Sequence, residues 1–102
     1  IAENTLKIFY CDKLFLGVDS FNLERGVSTP NIEEANINQT MITMVKETIA
    51  VFDSSKVNKK SFAFIAPVSK LSAIVTDNNM PLDIKTQIKK MGVKLYETEP
   101  DS

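Results

Sequence analysis

Lys13-Leu14-Phe15-Leu16-Gly17-Val18-Asp19 is the stretch from which the fold is read. A short, continuous apolar run of this kind is the mark of a strand buried on both faces, as in a parallel sheet. It gives way at once to a carboxylate. The same event recurs downstream, where Thr48-Ile49-Ala50-Val51-Phe52 runs into Asp53-Ser54-Ser55-Lys56, and Ser72-Ala73-Ile74-Val75 runs into Thr76-Asp77. Two more strands are expected at Phe62-Ala63-Phe64-Ile65-Ala66 and Val93-Lys94-Leu95-Tyr96.

Helical patterns lie between these runs. Pro30-Asn31-Ile32-Glu33-Glu34 opens the clearest one: Asn31 can cap the first turn, Glu34 can reach back to it, and both glutamates suit the positive end of the helix dipole. Ile37, Met41, Met44 and Val45 then follow at i, i+4, i+7 and i+8, which predicts one apolar face, with the methionines in the core. Pro81 starts a second helix with Ile84, Ile88 and Met91 on one face and Gly92 as its stop. Leu6, Phe9 and Tyr10 also sit at helical spacing. Asp19–Thr29 reads as a polar loop and Glu97–Ser102 as an acidic tail. Strands alternating with helices predict an α/β fold, a Rossmann-like, mainly parallel sheet with flanking helices.

Composition narrows the function. The chain has 102 residues, enough for one domain or part of one, and its 43% apolar and 25% charged residues are an ordinary globular balance. A formal net charge of −1 gives no overall basic footprint for a DNA duplex, so the chain is expected to bind no operator by itself. With no histidine and one cysteine, Cys11, the chain cannot supply a His/Cys zinc site, a Ser-His-Asp triad, a Cys-His pair or an internal disulfide. No metal and no cofactor is expected. A lone cysteine and no apolar run of about 18 residues fit a cytoplasmic location. The first residues, Ile1-Ala2-Glu3-Asn4, lack an initiator methionine, and the sequence is expected to be part of a longer protein.

In open α/β sheets the ligand crevice lies beyond the carboxyl ends of the strands, so the polar sets after Val18, Phe52 and Val75 can converge on one site. Turn chemistry alone also places Asp, Ser and Lys after strands. Lys56 suits a phosphate or sugar acid, whereas Lys59 and Lys60 read as a solvated cluster. Ser28-Thr29-Pro30 ahead of a helix can offer hydroxyls and N–H groups to an anion, or simply start the helix. Asp19 and Glu34 are candidates for a general acid/base pair, but carboxylates are too common for the pair to be specific.

These residues, in order, resemble a known family. Asp12 through Asp19, Gly26-Val27-Ser28-Thr29-Pro30-Asn31, Glu33-Glu34-Ala35, Asp53-Ser54-Ser55-Lys56 and Ile74-Val75-Thr76-Asp77 are similar to the sensor domain of DeoR-type regulators, covering roughly Tyr10 to Tyr96. The resemblance implies a fold of the ribose-5-phosphate isomerase and CoA-transferase group. It also implies a partial C-terminal sensor domain over residues 1–102, with a winged helix-turn-helix and a phosphate-binding loop lying outside this chain. Asp19, Glu34 and Lys56 match polar positions that line the pocket in that group. Where the isomerases carry a lysine with a run of glycines, this chain has Gly26-Val27-Ser28-Thr29-Pro30-Asn31, which argues against isomerase chemistry. It departs from the family at Ser20, where a glycine is common, and at Val57-Asn58, where phenylalanine-glycine is common.

The expected function is therefore binding of an effector, a phosphorylated sugar or related metabolite, together with homo-oligomerisation, in a repressor of sugar metabolism genes. Asp19, Ser28, Thr29, Glu34 and Lys56 are the expected contacts. The competing readings are a sugar-phosphate isomerase or transferase fragment using Glu34 or Asp19 as base, and a purely structural oligomerisation domain.

Overall fold

Residues 11–98 are described by a computed structural model. In chain order the elements are β1 (Cys11–Gly17), β2 (Ser20–Asn22), β3 (Gly26–Thr29), α1 (Ile32–Ile42), β4 (Val45–Val51), β5 (Ala63–Ala66), β6 (Ala73–Asp77), α2 (Leu82–Lys90) and β7 (Lys94–Thr98). Single 3-10 turns occupy Ser54–Lys56 and Val68–Lys70. The helical spacing of Leu6, Phe9 and Tyr10 and the tail beyond Thr98 lie outside the described residues. Glu97 and Thr98 belong to β7.

Four strands form a parallel sheet in the order β1-β4-β6-β7. Each step along the sheet goes the same way, and right-handed crossovers that step one way all pass over one face. Burial alternates accordingly. Leu16, Val18, Thr48, Ala50, Phe52, Ile74 and Thr76 are buried on the covered face. Phe15, Val51 and Tyr96 point the other way and stay exposed, Phe15 at 66%. Phe15 and Tyr96 line a shallow depression of about 390 Å³ with Ile49, Val75 and the Lys13–Glu47 pair. The expectation that β1 is buried on both faces is thus corrected: the described crossovers clothe one face only.

The segment Asp19–Thr29 is no loop. β2 and β3 form an antiparallel hairpin with Ser20 opposite Ser28, and β3 also pairs with β5, giving a second, three-stranded antiparallel sheet. Of the polar residues that suggest a loop, Ser20, Ser28 and Thr29 are buried pairing partners. Gly26 makes the hairpin possible: its φ is +93°, and a Cβ there would lie 2.1 Å from the Ala66 carbonyl oxygen. Phe21, fully buried, stacks on Phe52 with ring centroids 4.9 Å apart and joins the two sheets.

Both helices begin where the sequence says. The Asn31 side chain accepts from the Glu33 and Glu34 N–H groups at 2.9 and 3.1 Å. The apolar face of α1 differs from expectation. Ala35 is its buried residue and Ile42 packs on the core, while Ile37 is exposed; Met44 is buried past the helix end and Val45 starts β4. Small Ala35 sets the inward stripe, so the helix is turned away from the larger side chains. In α2, Ile84 and Ile88 are buried as expected, whereas Met91 is the exposed C-cap and Gly92 follows at φ +82°.

The two glycines separate space from conformation. Gly26→Ala should cost at least about 2 kcal/mol, because it adds backbone overlap to an unfavourable φ. Gly92→Ala, with open space around it, should cost about 1 kcal/mol. Urea denaturation of the two variants checks this, and equal losses would contradict the packing of β3 on β5.

Candidate functional site

The parallel ladder levels the strand ends. Gly17 pairs with Val51, Val51 with Val75 and Val75 with Tyr96. Two residues further on, Asp19, Asp53, Asp77 and Thr98 follow in the same relative order along the carboxyl edge. The bonds from Val18 N–H to the Val51 carbonyl and from Phe52 N–H to the Val75 carbonyl carry the ladder past the named strands. The three polar sets therefore emerge side by side, where open α/β sheets keep their crevice.

Each aspartate is held by its own donors. Asp19 Oδ2 accepts from the Thr29 hydroxyl at 2.8 Å. Asp53 caps the turn Ser54–Lys56, accepting from the N–H and hydroxyl of Ser55. Asp77 accepts from Ser54 N–H at 3.0 Å, from the Ser54 hydroxyl at 3.2 Å and from Asn79 N–H at 2.9 Å. The hydrogen bonds from Ser55 hold the Asp53 carboxyl below its ordinary value, helped by the charge of Lys56. The Ser54 and Asn79 N–H groups do the same for Asp77, with Lys85 contributing. Lys85 itself reaches from α2 to Glu97 of β7 at 2.8 Å.

The expected site residues are not all alike in this geometry. Asp19 and Thr29 are bonded to each other, which ties the end of β3, two residues ahead of the Asn31 cap of α1, to the end of β1. Glu34 is exposed in the first turn. Lys56 is half-buried at the end of its turn, next to the parallel bridge between Phe21 and Val57, which lays the segment beside the middle of β2. Ser28 and Thr29 are each only 1% exposed and turn inward: the Ser28 hydroxyl accepts from Ser61 N–H, and the Thr29 hydroxyl is taken by Asp19. β3 is the middle strand of its sheet, so its side chains have neighbours on every side.

Both departures from the family pattern find a place. Ser20 puts a hydroxyl 2.5 Å from that of Ser61, and Asn58 takes φ +63°, the left-handed conformation that asparagine tolerates and glycine favours. Asp53 and Asp77 were legible in the sequence only as strand ends. Their bonds to the turn depend on the parallel register. Two cavities among the described residues lie elsewhere, one on the open sheet face and one of about 530 Å³ lined by Gln39, Ile42, Thr48, Ile65 and Lys70.

The lowered carboxyls give a pH dependence. Because Asp53 and Asp77 bind protons less readily when folded, their stabilisation is complete above the ordinary carboxylate value of 3.8 and is lost as pH falls through the lowered values. The melting temperature should be level between about pH 7 and 5 on their account and fall below about pH 4. Asp53→Asn with Asp77→Asn should make that fall shallower in thermal melts; an unchanged profile would count against the assignment.

The model of the DeoR C terminal sensor domain family matches residues 1–78. A protein of Escherichia coli O157:H7, whose name assigns it to the aga operon as transcriptional repressor, is 40% identical over 94 residues, 92% of this chain and 35% of that protein. The transcriptional repressor AccR of Agrobacterium fabrum is 32% identical over 92% of this chain and 37% of its own length. The HTH-type transcriptional regulator GlpR of Haloferax volcanii is 29% identical over 94% of this chain and 38% of its own length. The chain thus spans little more than a third of the relatives it matches. With a family match over three quarters of its residues, on a mainly parallel α/β sheet, the chain belongs to the DeoR C terminal sensor domain family.

Proposed function

We propose that this chain is the effector-binding and oligomerisation part of a transcriptional repressor of sugar metabolism genes, that it performs no catalysis, and that its effector is a phosphorylated sugar or related metabolite. The observation that carries the reading is the row of levelled strand ends in a member of a sensor family: Asp19 and the turn bearing Lys56 follow two of these ends, and Glu34 lies in the first turn of α1. Lys56 faces the anionic group, and Asp19 and Glu34 accept sugar hydroxyls. Ser28 and Thr29 support the edge from behind. Operator DNA is met by a helix-turn-helix outside this chain, and effector binding shifts the protein between two states of different DNA affinity. Relatives that regulate transcription, one named for an operon and one a named repressor, support this reading.

Losing one charged partner from such a site costs about 1.5–3 kcal/mol, roughly ten- to a hundredfold in affinity. In the full-length protein, Lys56→Ala should abolish the effector response and leave folding and operator binding intact. Lys59→Ala should do little, since that residue is exposed and only its backbone N–H is engaged, with the Phe21 carbonyl. Effector titration against operator release compares the two. If both respond like the parent, or if Lys59→Ala is the damaging change, the site is misplaced.

Self-association completes the reading, most simply as a dimer. The open sheet face and the exposed strand β7 leave apolar surface and a sheet edge for it. A single monomeric species in sedimentation velocity at high micromolar concentration would overturn this part alone.

A further inference from the structure

We propose that Asp77 is a positioning residue for the effector: it fixes the turn that presents Lys56 and does not touch the effector itself. This rests on the reading of Lys56 as the anion-facing group. The turn Ser54–Lys56 is only three residues long, and a single 3-10 turn is too short to hold its own geometry. Its internal bonds are few: Lys56 N–H to the Asp53 carbonyl at 3.0 Å, Val57 N–H to the Ser54 carbonyl at 3.2 Å, and the Asp53 cap. Its placement therefore comes from outside. At the far end the Phe21–Val57 bridge holds it to β2, and at the near end Asp77 of β6 holds Ser54 by both N–H and hydroxyl. The second oxygen of Asp77 is taken by Asn79 N–H, which locks the carboxylate's orientation. Both oxygens are thus engaged by protein donors. Lysine carries its charge on a long flexible stem, so the position of its backbone governs how well it meets a fixed anion.

The sign of the effect separates this role from an electrostatic one. Asp77 is an anion close to the proposed anion site, so if its charge alone mattered, removing it would tighten binding of a phosphate. Positioning demands the reverse. Calorimetric titration of the full-length protein with glucose 6-phosphate, and separately with inorganic phosphate, tests it on four proteins: parent, Asp77→Ala, Lys56→Ala and the double variant. Asp77→Ala should weaken binding of the phosphorylated probe by roughly five- to tenfold, about 1–1.4 kcal/mol. The double variant should bind no more weakly than Lys56→Ala, because Asp77 acts only through that lysine. Asp77→Asn, which keeps an acceptor for Ser54 N–H, should recover part of the loss and decides the matter if the alanine variant does not fold. Binding that is unchanged or tighter in the Asp77 variants overturns the inference, as does a loss of equal size in the Lys56→Ala background. If Lys56→Ala also binds like the parent, or the parent binds neither probe, the reading of the site falls and this inference with it.

Discussion

The stacking of Phe21 on Phe52 is the contact on which the rest of the molecule depends. Phe52 lies one residue past β4, at the carboxyl edge of the parallel sheet, and Phe21 is the middle residue of β2, in the other sheet. Fully burying an aromatic ring stabilises by about 1.5–3 kcal/mol, and the offset pair adds roughly another 0.5–1.5 kcal/mol. The same residue works through its backbone as well: its carbonyl accepts from Lys59 N–H and it bridges Val57. One residue thus fixes the hairpin and the segment after β4 in a common frame. Asp19 stands two residues before Phe21 and Lys56 four residues after Phe52, so their relative placement follows from this contact rather than from any bond between them.

The strand order imposes a second constraint. Because the sheet grows in one direction, its crossovers accumulate on one side, and the hairpin, α1, β5 and α2 compete for the same face. The smallness of Ala35 is a response to that crowding: α1 lies close over the second sheet and fastens to it through the Gln39 amide, which donates to the Phe64 carbonyl at 2.8 Å. On the open face the alternation of the strands leaves Phe15, Val51 and Tyr96 in contact with solvent, flanked by charged Lys13 and Glu47.

Much of this was legible in the sequence where a signal is local and periodic. The four parallel strands, the Asn31 cap, the Ile84–Ile88 face of α2 and the polar strand ends all announce themselves within a few neighbouring residues. What was not legible depends on partners far along the chain. Ser20, Ser28 and Thr29 read as loop formers, yet they are buried: Ser61, distant in sequence, meets the hydroxyls of the two serines, and Asp19 takes that of Thr29 across the hairpin. Ile37 reads as core, but the choice of which α1 face turns inward was made by β5 and β3. Phe15 reads as buried because an apolar run reports the character of a strand, not whether a layer covers each of its faces. For the site, the residues were visible as a pattern and their contacts were not: the clamp from Asp77 to Ser54 spans 23 positions and exists only in the parallel register.

The proposed effector is anionic, yet three aspartates follow the strand ends along one edge, and the resolution lies in their hydrogen bonds. A carboxylate's field is weakened where N–H and hydroxyl dipoles point at its oxygens, and here each has such donors: Thr29 for Asp19, Ser55 for Asp53, Ser54 and Asn79 for Asp77. The cations Lys56 and Lys85 act on Asp53 and Asp77 respectively, offsetting more of the charge. Asp53 and Asp77 are thereby committed to structure, one starting the turn and the other holding it to β6. Asp19 is only half committed, since one oxygen meets Thr29 while the residue stays exposed. On the proposed reading, that division matches what a sugar phosphate requires: a free carboxylate oxygen for hydroxyls, a lysine held in place for the phosphate, and neighbouring negative charges already engaged.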